Sequence, residues 1–222
     1  MPVEVRRKPI KHLHLYVKPP DGRALVTAPA RMSDREIARF VEAKADWLQK
    51  HVAKYQNRPA PAKAEYQTGE TLQVWGQLYT IYACPGSRNT LALAGATAVL
   101  TVRGENTFER REKTVRDFYR AELAAAVEQR LPLWEAHTGL KAKAWQTRDM
   151  RTRWGTCNVK TGKLWFSVRL AEHPPECLDY VIVHELSHLV ERGHNKTFYA
   201  LLDSFLPGWK AVKARLNGRF NI

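Results

Sequence analysis

The chain has 222 residues, 44% of them hydrophobic and 26% charged, a composition that fits one sizeable core, or a core with a small appendage, and excludes a fibrous or low-complexity protein. No apolar run approaches bilayer length, and residues 1–17 alternate basic and apolar side chains without the apolar core of a signal peptide, so a cytoplasmic chain with no membrane partner is expected. The formal charge of +14 is carried by the two ends, with 13 basic against 6 acidic residues in 1–60, 12 against 10 in 61–150 and 11 against 6 in 151–222; this fits a solvated basic surface or an anionic partner such as nucleic acid, although no nucleic-acid-binding signature accompanies it.

Residues 3–7, 12–17 and 24–28 alternate or are rich in β-formers and predict strands, with Pro19-Pro20-Asp21-Gly22 as a turn signal. Ser33 predicts a helix N-cap with Glu36 at the capping-box position, followed by one helix with apolar Ile37, Phe40, Val41, Ala45 and Leu48. Arg58-Pro59-Ala60-Pro61-Ala62 reads as a short linker. Strands are predicted over 71–75, 77–83 after a turn at Gly76, 90–93 and 98–102. From Thr107 the texture changes. Glu109 and Glu112 favour the first turn of a long helix, whose buried stripe is Val115, Phe118, Tyr119, Glu122, Leu123, Ala126 and Leu131. Pro132 kinks or ends it, and Gly139 closes the segment. This change divides the chain into a β-rich region with one helix over 1–106 and a core over 107–222, packed as one unit. Strands over 143–150 and 163–170 bracket a loop at 151–162. Pro174-Pro175 favours a helix start, and helices are predicted over 176–192, 195–206 and briefly after Pro207.

The segment that carries chemistry is His184-Glu185-Leu186-Ser187-His188-Leu189-Val190-Glu191-Arg192-Gly193-His194. Residues four apart share a helix face, so His184 and His188 can aim their rings at one point. Glu185 lies about 100° around the helix, poorly placed to ligate a metal but beside it, where it can act on water. The helix is apolar almost all round, and two histidines with a carboxylate are costly there unless they share a purpose. Glu191 lies seven residues from His184, about 10 Å along a straight helix, too far to complete the set. Gly193 can turn the chain back in the left-handed conformation, which makes His194 the third candidate ligand and Asp203 the reserve. Three protein ligands leave an open position, the mark of a catalytic zinc site, with one Zn2+ per chain expected. The chemistry expected is hydrolysis: zinc acidifies a water, Glu185 takes its proton, and Glu185 returns it to the leaving amine.

The stretch Met150-Arg151-Thr152-Arg153-Trp154-Gly155-Thr156-Cys157, with Leu164-Trp165-Phe166-Ser167-Val168-Arg169-Leu170 and the run from Pro175 to Leu202, resembles the YgjP-like metal-dependent hydrolases, zincin-type metallopeptidases related to the SprT-type proteins. The close resemblance covers about residues 145–217. It implies an α+β, minimal zincin-like fold: an N-terminal β-hairpin and helix region, a helix, a small antiparallel sheet, and the H-E-x-x-H zinc helix. It implies peptide or protein substrates as well. Metzincins share the histidine spacing but carry Gly where this chain has Glu191, and they need a methionine turn that this chain lacks after Met150.

Arg151, Arg153 and Trp165 are candidate substrate contacts. The loop also reads as architecture, with Trp154 packing, Gly155 permitting a tight turn and the arginines pairing with carboxylates. Cys157 as a fourth ligand would close the site and oppose catalysis. Cys84, Cys157 and Cys177 cannot all pair, and none lies in a C-x-x-C spacing, which fits a reducing compartment. The alternation of Leu164, Phe166 and Val168 with Trp165, Ser167 and Arg169 reads as a half-buried strand, whose hairpin is expected to offer an edge to an extended peptide. The runner-up activity is metal-dependent phosphohydrolysis of nucleotides; a nucleic-acid-associated protease is the other alternative.

Overall fold

A computed structural model of the chain describes residues 2–18, 22–56 and 64–218. Among the described residues the chain separates into two compact units that divide between 63 and 64.

In the first unit, β1 (Val3–Lys8), β2 (His14–Lys18) and β3 (Arg23–Pro29) form a sheet in the order β1-β3-β2. β2 and β3 make the expected antiparallel hairpin, and β1 runs parallel to β3 on the other side. Pro19–Asp21 of the turn signal and the linker at 58–62 lie outside the described residues. Ser33 and Glu36 exchange both bonds of the capping box at the start of α1 (Asp34–Glu42). One helix is predicted through Leu48, but the chain stops at Ala43 and restarts as α2 (Ala45–Gln56). The break lets two helices serve one sheet. Ile37 of α1 packs on Val26 and Ala28, and Leu48 and Val52 of α2 pack on Ala24.

The second unit holds a four-stranded sheet, β4 (Thr71–Val74), β5 (Gln77–Gly86), β6 (Thr90–Ala94) and β7 (Thr97–Arg103), in the order β4-β5-β7-β6. Trp75 and Gly76 turn β4 into β5 with φ of 49° and 85°. That conformation is uncommon for a bulky side chain, and Trp75 is held in it by its indole N–H, which donates to Glu122 Oε2 at 3.0 Å. Glu122 belongs to α3 (Phe108–Thr138), a 31-residue helix that runs through Pro132 and ends on Gly139 with φ 69°. Its buried residues are Arg111, Thr114, Val115, Tyr119, Leu123, Val127 and Leu131, so the stripe lies close to the predicted one.

The sequence places a boundary between 106 and 107, whereas the compact units divide between 63 and 64. The reason is shared burial: Leu72, Ile81, Leu100 and Val102 of the sheet enter the same core as Leu123 of α3.

Beyond α3, β8 (Ala144–Arg148), β9 (Gly155–Asn158) and β10 (Lys163–Ser167) form a sheet in the order β8-β10-β9. The sheet is mixed and not antiparallel throughout, since β10 runs parallel to β8 and antiparallel to β9. β10 takes the centre because Leu164 and Phe166 are fully buried. It therefore has no free edge, and the edge on that side is β9, a strand where the sequence predicts loop. A short 3-10 helix (Val168–Glu172) leads into α4 (Pro175–Ser187), followed by α5 (Lys196–Phe205) and α6 (Trp209–Gly218). The unit is thus a mixed α+β structure of small sheets and helices. Among the described residues no helix is long and apolar enough to cross a membrane.

Leu100 is fully buried where the four-stranded sheet shares its core with α3. Leu100→Ala is expected to destabilise the second unit by about 2–5 kcal/mol in denaturant unfolding; an unchanged midpoint would show that the sheet does not depend on this core.

Candidate metal centre

α4 is buried on nearly every side, with Cys177, Leu178, Ile182, Val183 and Leu186 at 0% exposure. Its orientation is fixed by Asp179, whose carboxylate accepts from Arg130 Nη1 at 2.6 Å and from Trp134 Nε1 at 2.8 Å, both on α3. The helix ends sooner than predicted. Ser187 is its last residue and His188 its C-cap, still in right-handed helical conformation at φ −66°, ψ −17°. His184 and His188 thus keep the i, i+4 relation, while the chain past His188 is released to turn back. Glu191 N–H donates to Ser187 O at 3.0 Å, and Gly193 N–H donates to the Glu191 carboxylate at 3.1 Å. Gly193 has no left-handed φ, so the reversal is built by the whole run 188–194 rather than by one glycine. It delivers His194 just before Asn195, the N-cap of α5, whose side chain accepts from Phe198 N–H.

The result is a cluster. One ring nitrogen from each of His184, His188 and His194 can be chosen so that all lie within 4.8 Å of one another. His184 Nε2 and His194 Nε2 are 3.1 Å apart, near the roughly 3.3 Å expected of two nitrogens on one tetrahedral zinc with bonds of about 2.0–2.1 Å. His188 Nδ1 lies 3.0 Å from the Glu191 carbonyl, which can only accept, so Nδ1 carries the proton and Nε2 keeps its lone pair. His184 Nδ1 is 3.4 Å from the Tyr180 hydroxyl, one turn back on α4. Burial, then the charges of His188, His194 and Lys213, hold the His184 imidazole down to about 3, and burial likewise lowers His194. Neutral imidazoles are the form that binds a metal. These residues fit a divalent ion held by nitrogen. Phe198, fully buried, lies 4.6–5.0 Å from all three imidazole centroids and floors the cluster.

Glu185 is 4% exposed and lines the same cleft as the three histidines, a cavity of about 550 Å³. Burial pushes its carboxyl up to about 8, with Arg153 pulling the other way. The strand β9 explains how a carboxyl fits there. A methyl group on Gly155 would stand 2.6 Å from Glu185 Oε1 and 2.8 Å from both Glu185 Cγ and Val181 Cγ1. Gly155 has no left-handed φ; it is needed for the close approach of α4 and not for a tight turn.

The other sequence candidates separate. Arg153 lines the cleft; Arg151 and Trp165 do not. Trp165 instead carries Lys163 Nζ at 5.3 Å from its ring centroid. Cys157 lines the cleft but stands outside the histidine cluster, and burial followed by Glu185 pushes its thiol up to about 11. Asp203, the reserve ligand, accepts from Trp209 Nε1 at 2.8 Å and is also outside the cluster. Sequence reasoning misses Tyr180, Phe198 and Lys213. Their signal is faint: Tyr180 lies four residues before His184, and Phe198 four after His194.

Three imidazoles, a buried carboxyl and an open cleft are the parts of a hydrolytic metal centre. The chain belongs to the YgjP-like family, whose metallopeptidase domain matches residues 11–219. At the level of the family this is a metal-dependent peptidase, and the match takes in the N-terminal unit as well as the segment 145–217. No curated protein matches the chain. Among solved structures, the metallopeptidase zymogen of Pyrococcus abyssi abylysin is similar at 20% identity over 42% of this chain and 94% of that one, with a TM-score of 0.39.

Gly155→Ala is expected to cost about 1–3 kcal/mol in denaturant unfolding, because Glu185 and Val181 must both give way. An unaltered stability would mean that β9 can step back from α4.

Proposed function

We propose that the chain is a zinc peptidase of minimal zincin design, with His184, His188 and His194 holding one ion and Glu185 as the general base. The observation that carries this reading is the convergence of the three ring nitrogens within 4.8 Å beside a buried carboxyl that faces the same cleft. When bound, the ion supplies Lewis-acid polarisation of a carbonyl and lowers the pKa of an adjacent water. Glu185 takes the proton of the attacking water, and the same carboxyl returns it to the amine that leaves. The raised affinity of this buried carboxyl for a proton suits that exchange, and with a divalent ion bound beside it the carboxyl would be drawn back towards ionisation. Phe198 packs against all three rings, the Glu191 carbonyl holds that of His188, and Gly155 leaves the space that Glu185 occupies.

The substrate runs along β9 in this reading. Ser167 N–H donates to Trp154 O at 2.8 Å, and the β9–β10 register continues that pairing through Thr156 and Asn158. The main-chain groups of Gly155 and Cys157 therefore point to the free edge, where an extended peptide can pair with them. Peptides N-methylated next to the scissile bond should be poor substrates; equal turnover would remove the edge-pairing part of the proposal.

Glu185→Gln is expected to retain about one zinc per chain and to lose roughly 10²–10⁴-fold in peptide turnover. His188→Ala is expected to lose both the metal and the activity. Elemental analysis and a fluorogenic peptide assay check the two together. A fully active Glu185→Gln protein ends the general-base assignment, and a metal-replete, active His188→Ala protein ends the ligand set. Phosphate release that depends on Glu185, without peptide turnover, would transfer the site to a phosphoryl substrate.

A further inference from the structure

We infer that the cleft takes a peptide bearing a carboxylate, and that Lys213 is the residue that reads it. The inference rests on the peptidase reading above and adds the substrate class. The charged residues lining the cleft are Arg153, Arg192, Lys213 and Glu185, three cations against one acid.

Lys213 differs from the other cations of its helix. On α6, Lys210 Nζ lies 3.6 Å from Asp203 Oδ1, and Arg215 Nη1 pairs with Glu176 Oε1. Among the described residues no carboxylate lies within ion-pair distance of Lys213. Its ammonium instead sits 5.4 Å from the Trp209 ring centroid and 5.8 Å from that of Tyr199. Trp209 itself stacks with both Tyr180 and Tyr199, at interplanar angles of 6° and 4°. A lysine on this aromatic shelf is steadied by the rings. Asn217, one helical turn on and also lining the cleft, offers a further polar group on the same face.

The placement works against the metal. Lys213 lines the same cleft as His184 and His194, and a cation beside a divalent-ion site repels the ion. It gains a favourable partner when an anion enters the cleft. Peptide chemistry offers two sources of the same group, a free C-terminal carboxylate or an Asp or Glu side chain near the scissile bond. Either one can receive the ammonium in a charge-assisted hydrogen bond.

The test uses the full chain loaded with zinc and one neutral peptide sequence in three forms: both ends blocked, the C-terminus free, and both ends blocked with a single glutamate moved along the sequence. In the wild type, one of the charged forms is expected to exceed the blocked neutral form by about tenfold or more in kcat/KM, chiefly through KM, and which form it is identifies the source of the carboxylate. The ratio of charged to neutral turnover, taken within each variant, should collapse towards one in Lys213→Gln, persist in Lys213→Arg and invert in Lys213→Glu. In the wild type it should also shrink as salt is added, a readout that needs no variant to fold. Equal turnover of all forms, or an unchanged ratio in Lys213→Gln, overturns the role of Lys213. Failure of the wild type to cut any form overturns the peptidase reading, and this inference with it.

Discussion

The constraint on which the structure turns is that a helix buried on almost every side must bring two histidines and a carboxyl to one open space. α4 is apolar enough to be the centre of its unit, and its last turn carries His184 and Glu185 into the cleft. Small rotations of such a helix would carry His184 and Glu185 into the core, where a polar group without a partner is expensive. Asp179 resists that rotation, bound to Arg130 and Trp134 of α3. The helix start is fitted as closely: Gly76 lies against Pro174, and a methyl group on Gly76 would stand 2.7 Å from Pro174 Cγ. The four-stranded sheet, far from the histidines in sequence, thereby helps to set where α4 begins.

Each part of the site then depends on a neighbour that does no chemistry itself. The C-terminal end of α4 keeps His188 helical while freeing the chain to return with His194. Phe198 forms one surface beneath all three rings, so their directions are coupled by packing. Gly155 leaves the space that Glu185 occupies, which links the edge of β9 to the proposed base through direct steric contact. A peptide paired along β9 would lie beside that carboxyl, within reach of the cations that line the cleft.

The residues that meet at the candidate site are more legible in the sequence than the geometry that supports them. The H-E-x-x-H spacing and the later histidine are local signals, and the three residues do converge. The capping box at Ser33, the Gly76 turn and the end of α3 at Gly139 were equally readable, because each is set by a few neighbouring residues. What stayed hidden depends on contacts across the fold. Gly155 looks like a turn residue until α4 is seen packed against it. β9, only four residues with a glycine and an asparagine, has too little pattern to mark it as a strand. Gly193 looks like the hinge, yet a run of turn hydrogen bonds bears the reversal. The boundary expected at 106 follows a change of texture, whereas the core follows burial and joins both sides of it.

The central claim is that three imidazoles share one ion and leave a position open to solvent. X-ray absorption at the zinc edge of the loaded protein measures this directly. The account predicts three nitrogen scatterers at about 2.0–2.1 Å with imidazole outer shells, one further oxygen or nitrogen, and no sulfur. A sulfur scatterer at about 2.3 Å would place Cys157 on the metal, close the open position and contradict the account.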